Sequence, residues 1–71
     1  MITLNPKKLL NSKWTAVTPE RKEKHFIILE TEFDEDGVVM RCLMQAVITK
    51  REFEIEWRDL KNTQQWRAGW L

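Results

Sequence analysis

Apolar and polar positions trace strands over the middle of the chain. His25 to Phe33 and Val38 to Ile48 are rich in β-branched and aromatic residues. Asp34-Glu35-Asp36-Gly37 separates them, and Asp-Gly favours a type I′ hairpin turn with positive φ at both central residues. With Asp36-Gly37 as the turn, Phe33 faces Met40, Thr31 faces Cys42, Leu29 faces Met44, Ile27 faces Ala46 and His25 faces Ile48. That face is mostly apolar, while the other pairs Glu32 with Arg41 and Glu30 with Leu43. A four-residue loop keeps this parity. A three-residue loop would set apolar against polar, since side chains alternate between faces.

Glu52-Phe53-Glu54-Ile55-Glu56-Trp57 alternates strictly, as a half-buried strand does. A turn over Thr49 to Glu52 pairs Ile48 with Phe53, Ala46 with Ile55 and Met44 with Trp57, on the face already apolar. Three such strands form an antiparallel meander, and Trp14-Thr15-Ala16-Val17 reads as a fourth. Thr18 to Lys24 reads as a polar surface loop, with or without one helical turn.

The ends read as short helices. Asn5 caps one that Pro6 opens, Leu4 and Leu9 are placed to staple it, and Asn11 stops it. Arg58 to Asn62 reads as a turn or helical turn. Thr63 then caps a helix over Gln64–Ala68 that Gly69 ends, placing Trp66 and Trp70 on one face over the open side of the sheet. The expected fold is mainly β: one domain over residues 1–71, a small antiparallel meander sheet of four to five strands, with short N- and C-terminal helices. A strongly bent sheet would close toward an SH3-like barrel; an open sheet with a helical cover fits the pattern equally.

Size changes the weight of each apolar residue. A chain of 71 residues buries only about 60% of its unfolded surface, so its stability is marginal. Four tryptophans compensate, each able to bury about 150–250 Å². Cys42 is the only cysteine, so no disulfide forms within the chain, whereas small secreted domains usually carry several. The N-terminus lacks a signal-peptide pattern, and no apolar run approaches the ~20 residues of a membrane span. A cytoplasmic protein without membrane contact is expected.

Charge is bipolar along the chain. Residues 1–24 carry net +4, residues 25–40 net −5 and residues 41–71 net +2. Little of it suggests catalysis. His25 and Cys42 are the only imidazole and thiol, too few for a zinc site. Cys42 sits mid-strand among apolar residues, a setting for a buried hydrophobe rather than a thiolate. Glu52, Glu54 and Glu56 form a solvated strand face, and two isolated glycines cannot build a phosphate loop. The expectation is a non-enzyme with no cofactor and no metal.

Two surfaces could bind a partner. Trp66, Trp70 and Leu71 offer aromatic anchors beside Arg67, the residue types enriched in interface hot spots. Lys7, Lys8, Lys13, Arg21, Lys22 and Lys24, with Trp14, combine cations and a stacking ring as single-stranded RNA requires. The acids of residues 30–36 oppose the second, which leaves a protein partner ahead of RNA. Unpaired edge strands leave both a monomer and a weak dimer open.

The positioned motifs carry a resemblance. Asn5-Pro6-Lys7-Lys8-Leu9-Leu10, Ser12-Lys13-Trp14-Thr15-Ala16-Val17, Glu23-Lys24-His25-Phe26, Phe33-Asp34-Glu35-Asp36-Gly37, Trp57-Arg58-Asp59-Leu60, Trp66 and Gly69-Trp70 together resemble a family of small tryptophan-rich bacterial proteins of unknown function. The resemblance implies one compact bacterial domain and carries over no activity, cofactor or site residue.

Overall fold

A computed structural model describes residues 5–71. Five antiparallel strands form one sheet: β1 (Lys13–Glu20), β2 (Glu23–Phe33), β3 (Val39–Ala46), β4 (Glu52–Ile55) and β5 (Trp66–Ala68). Their order is β4-β3-β2-β1-β5, and the two ends of the sheet are not paired with each other, so it is open. Asn5 caps a 3-10 turn over Pro6–Lys8, as its sequence requires; Leu4, the other half of the expected staple, lies outside the described residues. Asn11 ends that segment with φ +65°.

The β2–β3 hairpin departs from the expected geometry at both ends and keeps it in the middle. Thr31 pairs with Cys42, Glu32 with Arg41 and Glu30 with Leu43, as predicted. The turn is not type I′, because Gly37 has positive φ and Asp36 does not. Asp34 C=O accepts from Gly37 N–H and Asp34 N–H donates to Val38 C=O, closing a three-residue loop. Met40 is then an extra residue on β3, and this bulge restores the register that a three-residue loop alone would lose.

A second bulge has the larger consequence. Leu29 is an extra residue on β2, so Ile28 pairs with Met44 and Phe26 with Ala46. The expected inward residues Ile27 and Leu29 give way to Phe26 and Ile28, which are 5% and 0% exposed. The next hairpin slips by four residues with parity intact: Met44 pairs with Phe53 and Cys42 with Ile55. Ile48 therefore leaves the sheet and stands exposed at the loop, beside Lys50 with φ +59°.

The segment expected to loop between β1 and β2 is strand. Arg21 and Lys22 have φ of +54° and +64°, the conformation of a two-residue type I′ turn. Pro19 is tolerated in β1 because β5 pairs only with Trp14 to Ala16, so Pro19 faces no partner there. Non-glycine residues at positive φ cost roughly 1–2 kcal/mol each. Arg21→Asn with Lys22→Gly is expected to gain about 1 kcal/mol, read as a thermal midpoint roughly 4–8 °C higher in a domain of this size.

The expected helix over Gln64–Ala68 is absent; Asn62, not Thr63, caps a single turn, and the chain then enters β5. Pairing with the free edge of β1 satisfies backbone groups that one helical turn would leave open. Since β4 and β5 lie at opposite edges, the connection between them must cross the sheet. It does so through a 3-10 turn over Trp57–Lys61 that buries Trp57 and Leu60. With Leu9 they cover Trp14, Phe26, Ile28, Cys42, Met44 and Ala46. The core is therefore one face of one sheet, capped by two short turns.

Candidate functional site

The crossover covers the inner face only in part. Toward the Arg21-Lys22 turn that face stays open as a cleft of about 490 Å³. Its floor is aromatic because β1, β2, β4 and β5 each direct an apolar side chain inward: Ala16 pairs with Trp66, and Phe26 on β2 and Phe53 on β4 meet across β3. The Phe26 ring lies 5.1 Å from Trp66 and 6.0 Å from Phe53, nearly perpendicular to both. Such edge-to-face pairs each contribute about 0.5–1.5 kcal/mol beyond burial. Phe26 is buried, while Trp66 and Phe53 keep part of their surface exposed.

One wall of the cleft is an anchored ion pair. Glu23 is 3% exposed, yet its carboxylate is fully engaged. Arg51 donates through Nη2 at 2.7 Å and Nε at 3.1 Å, and the Thr49 hydroxyl donates at 2.6 Å. The Arg51 guanidinium also lies 4.6 Å over the Phe53 ring. These donors hold the Glu23 carboxyl at about 2, below its ordinary 4.5, and the nearby charges of Arg51 and Arg21 act in the same direction. A carboxylate whose folded value is depressed stabilises the fold in full above about pH 4.5 and loses that contribution as pH falls toward 2. Glu23→Gln is thus expected to destabilise the protein at neutral pH, with the gap to wild type closing between pH 4.5 and 2. Urea midpoints at stepped pH check this; a gap constant down to the lowest pH would contradict it.

The residues singled out from the sequence are spread around the molecule. Trp14 is buried at 3% exposure, with its Nε1 donating to Ser12 Oγ at 2.8 Å, so it offers no ring to a nucleobase. Lys7 and Lys8 lie in the first 3-10 turn, while Arg21 and Lys22 form the β1–β2 turn and Lys24 follows it. The Lys13 ammonium lies 4.9 Å over the Trp70 ring. The basic side chains thus lack the common stacking platform expected of them.

Trp66 and Trp70 do not share a face. Trp66 points inward, whereas Trp70 lies on the outer face, stacked at 5.9 Å on His25, with Nε1 donating to Phe26 C=O. Thr15 anchors this end of the chain, its hydroxyl donating to Gly69 C=O and accepting from Leu71 N–H. Trp70 is 42% exposed and Leu71 65%. Leu71 and Trp66 meet only at a second hollow of about 350 Å³, beside Thr63 and Arg67.

Phe26, Phe53, Glu23 and Arg51 were missed as site residues. The alternation through Phe53 was legible, but the Leu29 bulge that turns Phe26 inward and the pairing of Glu23 with a residue 28 positions away have no local signature. Among the described residues no group of three or more His, Cys, Asp or Glu is placed to hold a metal ion, and no helix is long and apolar enough to cross a membrane. Cys42 is buried opposite Thr31, and burial, with the Glu56 charge, raises its thiol to about 11.

All four tryptophans lie within residues 12–71, the span matched by the family model for tryptophan-rich proteins, DUF2389. The chain belongs to DUF2389. No curated protein and no solved structure matches it. The tryptophans of this DUF2389 member do different work. Trp14 and Trp57 are core, Trp66 is half core and half cleft, and Trp70 fastens the chain end over the outer face. Trp57 is flanked by Arg58 and Lys61 at 5.2 and 5.1 Å. Its buried Nε1 has no acceptor among the described residues, and nothing in the structure explains this.

Proposed function

We propose that the protein is a non-catalytic binding module that engages a protein partner through the cleft floored by Phe26, Phe53 and Trp66. One observation carries this: a part of the inner sheet face left uncovered by the crossover is aromatic and bordered by a pre-positioned arginine. Aromatic rings and arginine are the side chains that anchor protein interfaces. Arg51 is held by Glu23 before any partner arrives, so little side-chain entropy is lost on docking. The titratable group with the strongest shift at the cleft, Glu23, is held ionised, the opposite of what a general acid needs. A bacterial cytoplasmic setting accords with the family resemblance and with a single buried, unpaired thiol.

Thr18 is exposed and lines the cleft, whereas Glu52 is exposed on the outer face. A photo-reactive side chain at Thr18 is expected to give a discrete protein adduct in cells, and the same group at Glu52 to give none. Equal adducts from both positions, or none from Thr18, would refute docking at the cleft.

A further inference from the structure

We infer that the cleft receives the acidic β2–β3 hairpin of a second copy of this chain, in a head-to-tail contact. This contact presupposes that the cleft docks protein. The hairpin projects as an arm. β1 pairs with β2 no farther than Ile27, and β4 with β3 no farther than Cys42, so residues 32–41 have only each other as strand partners. A two-stranded ribbon by itself is marginal in water. This one also leaves Phe33, Val38 and Met40 at 41%, 46% and 67% exposure, a large apolar surface for so small a chain.

The arm and the cleft have complementary chemistry. Residues 30–38 carry five acids and no Lys or Arg; Glu30 and Glu32 are paired with Arg41, which leaves Asp34, Glu35 and Asp36 to make the tip acidic. At the cleft, Glu23 is already committed to Arg51, whereas Arg21, which lines it, and Lys22 beside Arg21 in the turn form no ion pair among the described residues. Phe33 and Met40 are suited to a floor of Phe26, Phe53 and Trp66, through edge-to-face and sulfur–aromatic contacts. Within one molecule the two cannot meet. The arm leaves the sheet at the end opposite the Arg21-Lys22 turn, in a body 37 Å long. One arm and one cleft per copy make a heterologous contact, which builds rings or open chains rather than a two-fold dimer.

Two variants test it. Glu35→Lys with Asp36→Lys reverses the arm charge and spares Asp34, whose carboxylate accepts from the Asp36 and Val38 N–H groups to hold the turn. Thr18→Glu with Arg21→Glu reverses the cleft rim. In sedimentation velocity at low salt, wild type is expected to show species larger than the monomer that grow with concentration and vanish near 0.5 M salt (about a 4 Å screening length). Each folded variant alone, checked by circular dichroism, is expected to be monomeric. An equimolar mixture should associate again, because the intact arm meets the intact cleft and the reversed arm meets the reversed rim. A wild type that stays monomeric, a variant that self-associates alone, or a mixture that does not associate would overturn the contact. If the Thr18 probe then still captures a foreign protein, only the self-contact fails; if it captures nothing, the docking function fails with it.

Discussion

Trp14→Ala is expected to abolish the folded state. The ring is 3% exposed, belongs to the core of the covered inner face and bonds Ser12 beside the first 3-10 turn. Truncating a buried tryptophan costs about 3–5 kcal/mol. A 71-residue domain has on the order of 4–10 kcal/mol in total, at roughly 0.05–0.15 kcal/mol per residue. Much or all of the stability goes with one side chain, and the Nε1 hydrogen bond that locates Ser12 is lost as well. Far-UV circular dichroism and urea titration check the outcome. A cooperative transition within about 1 kcal/mol of wild type would show that Trp14 is not core. The same result would reopen Trp14 as a stacking residue for nucleic acid.

The second large effect separates two neighbouring isoleucines. Ile28→Asp places a carboxylate at a position with 0% exposure opposite Met44, where no cation is within the core cluster to pair with it. Loss of apolar contact and the cost of an unpaired buried charge together exceed about 4 kcal/mol, enough to unfold the domain. Ile27→Asp falls on the outer face, half-exposed and opposite Gln45, and is expected to cost only about 1 kcal/mol. Without the Leu29 bulge the two sensitivities would be exchanged. Urea denaturation of both variants reads the register of β2 directly, and a more damaging Ile27→Asp would require an unbulged strand.

That pair of residues also marks the limit of what alternation conveys. Period-two patterning located β2, β3 and β4, and it paired Thr31 with Cys42 and Glu32 with Arg41 correctly. Alternation tolerates slips of even length, which is why Phe53 and Ile55 were assigned the right face with partners four residues out. It cannot register a single extra residue in a run such as Phe26-Ile27-Ile28-Leu29, where every position is apolar and either parity looks satisfied. The three-residue turn at Asp34 and the Met40 bulge cancel each other, so neither leaves a trace in the pattern. Gln64 to Ala68 failed for a different reason. Its local signals favour a helix, but the unpaired edge of β1 supplies backbone partners only to a strand. The aromatic cleft inherits all of this: Phe53 is legible as an inward residue, the bulge hides Phe26, and the helix that local signals predict around Trp66 does not form.

The claim beneath the cleft is that the Leu29 bulge turns Phe26 inward to meet Trp66 on β5, with Trp70 on the opposite side of the sheet. Side-chain nuclear Overhauser spectra of the labelled protein test it directly. The geometry predicts strong contacts between the Phe26 ring and the Trp66 indole, whose centroids lie 5.1 Å apart, and between Trp70 and His25. Direct contacts between the Trp66 and Trp70 indoles, with none from Phe26 to Trp66, would contradict it.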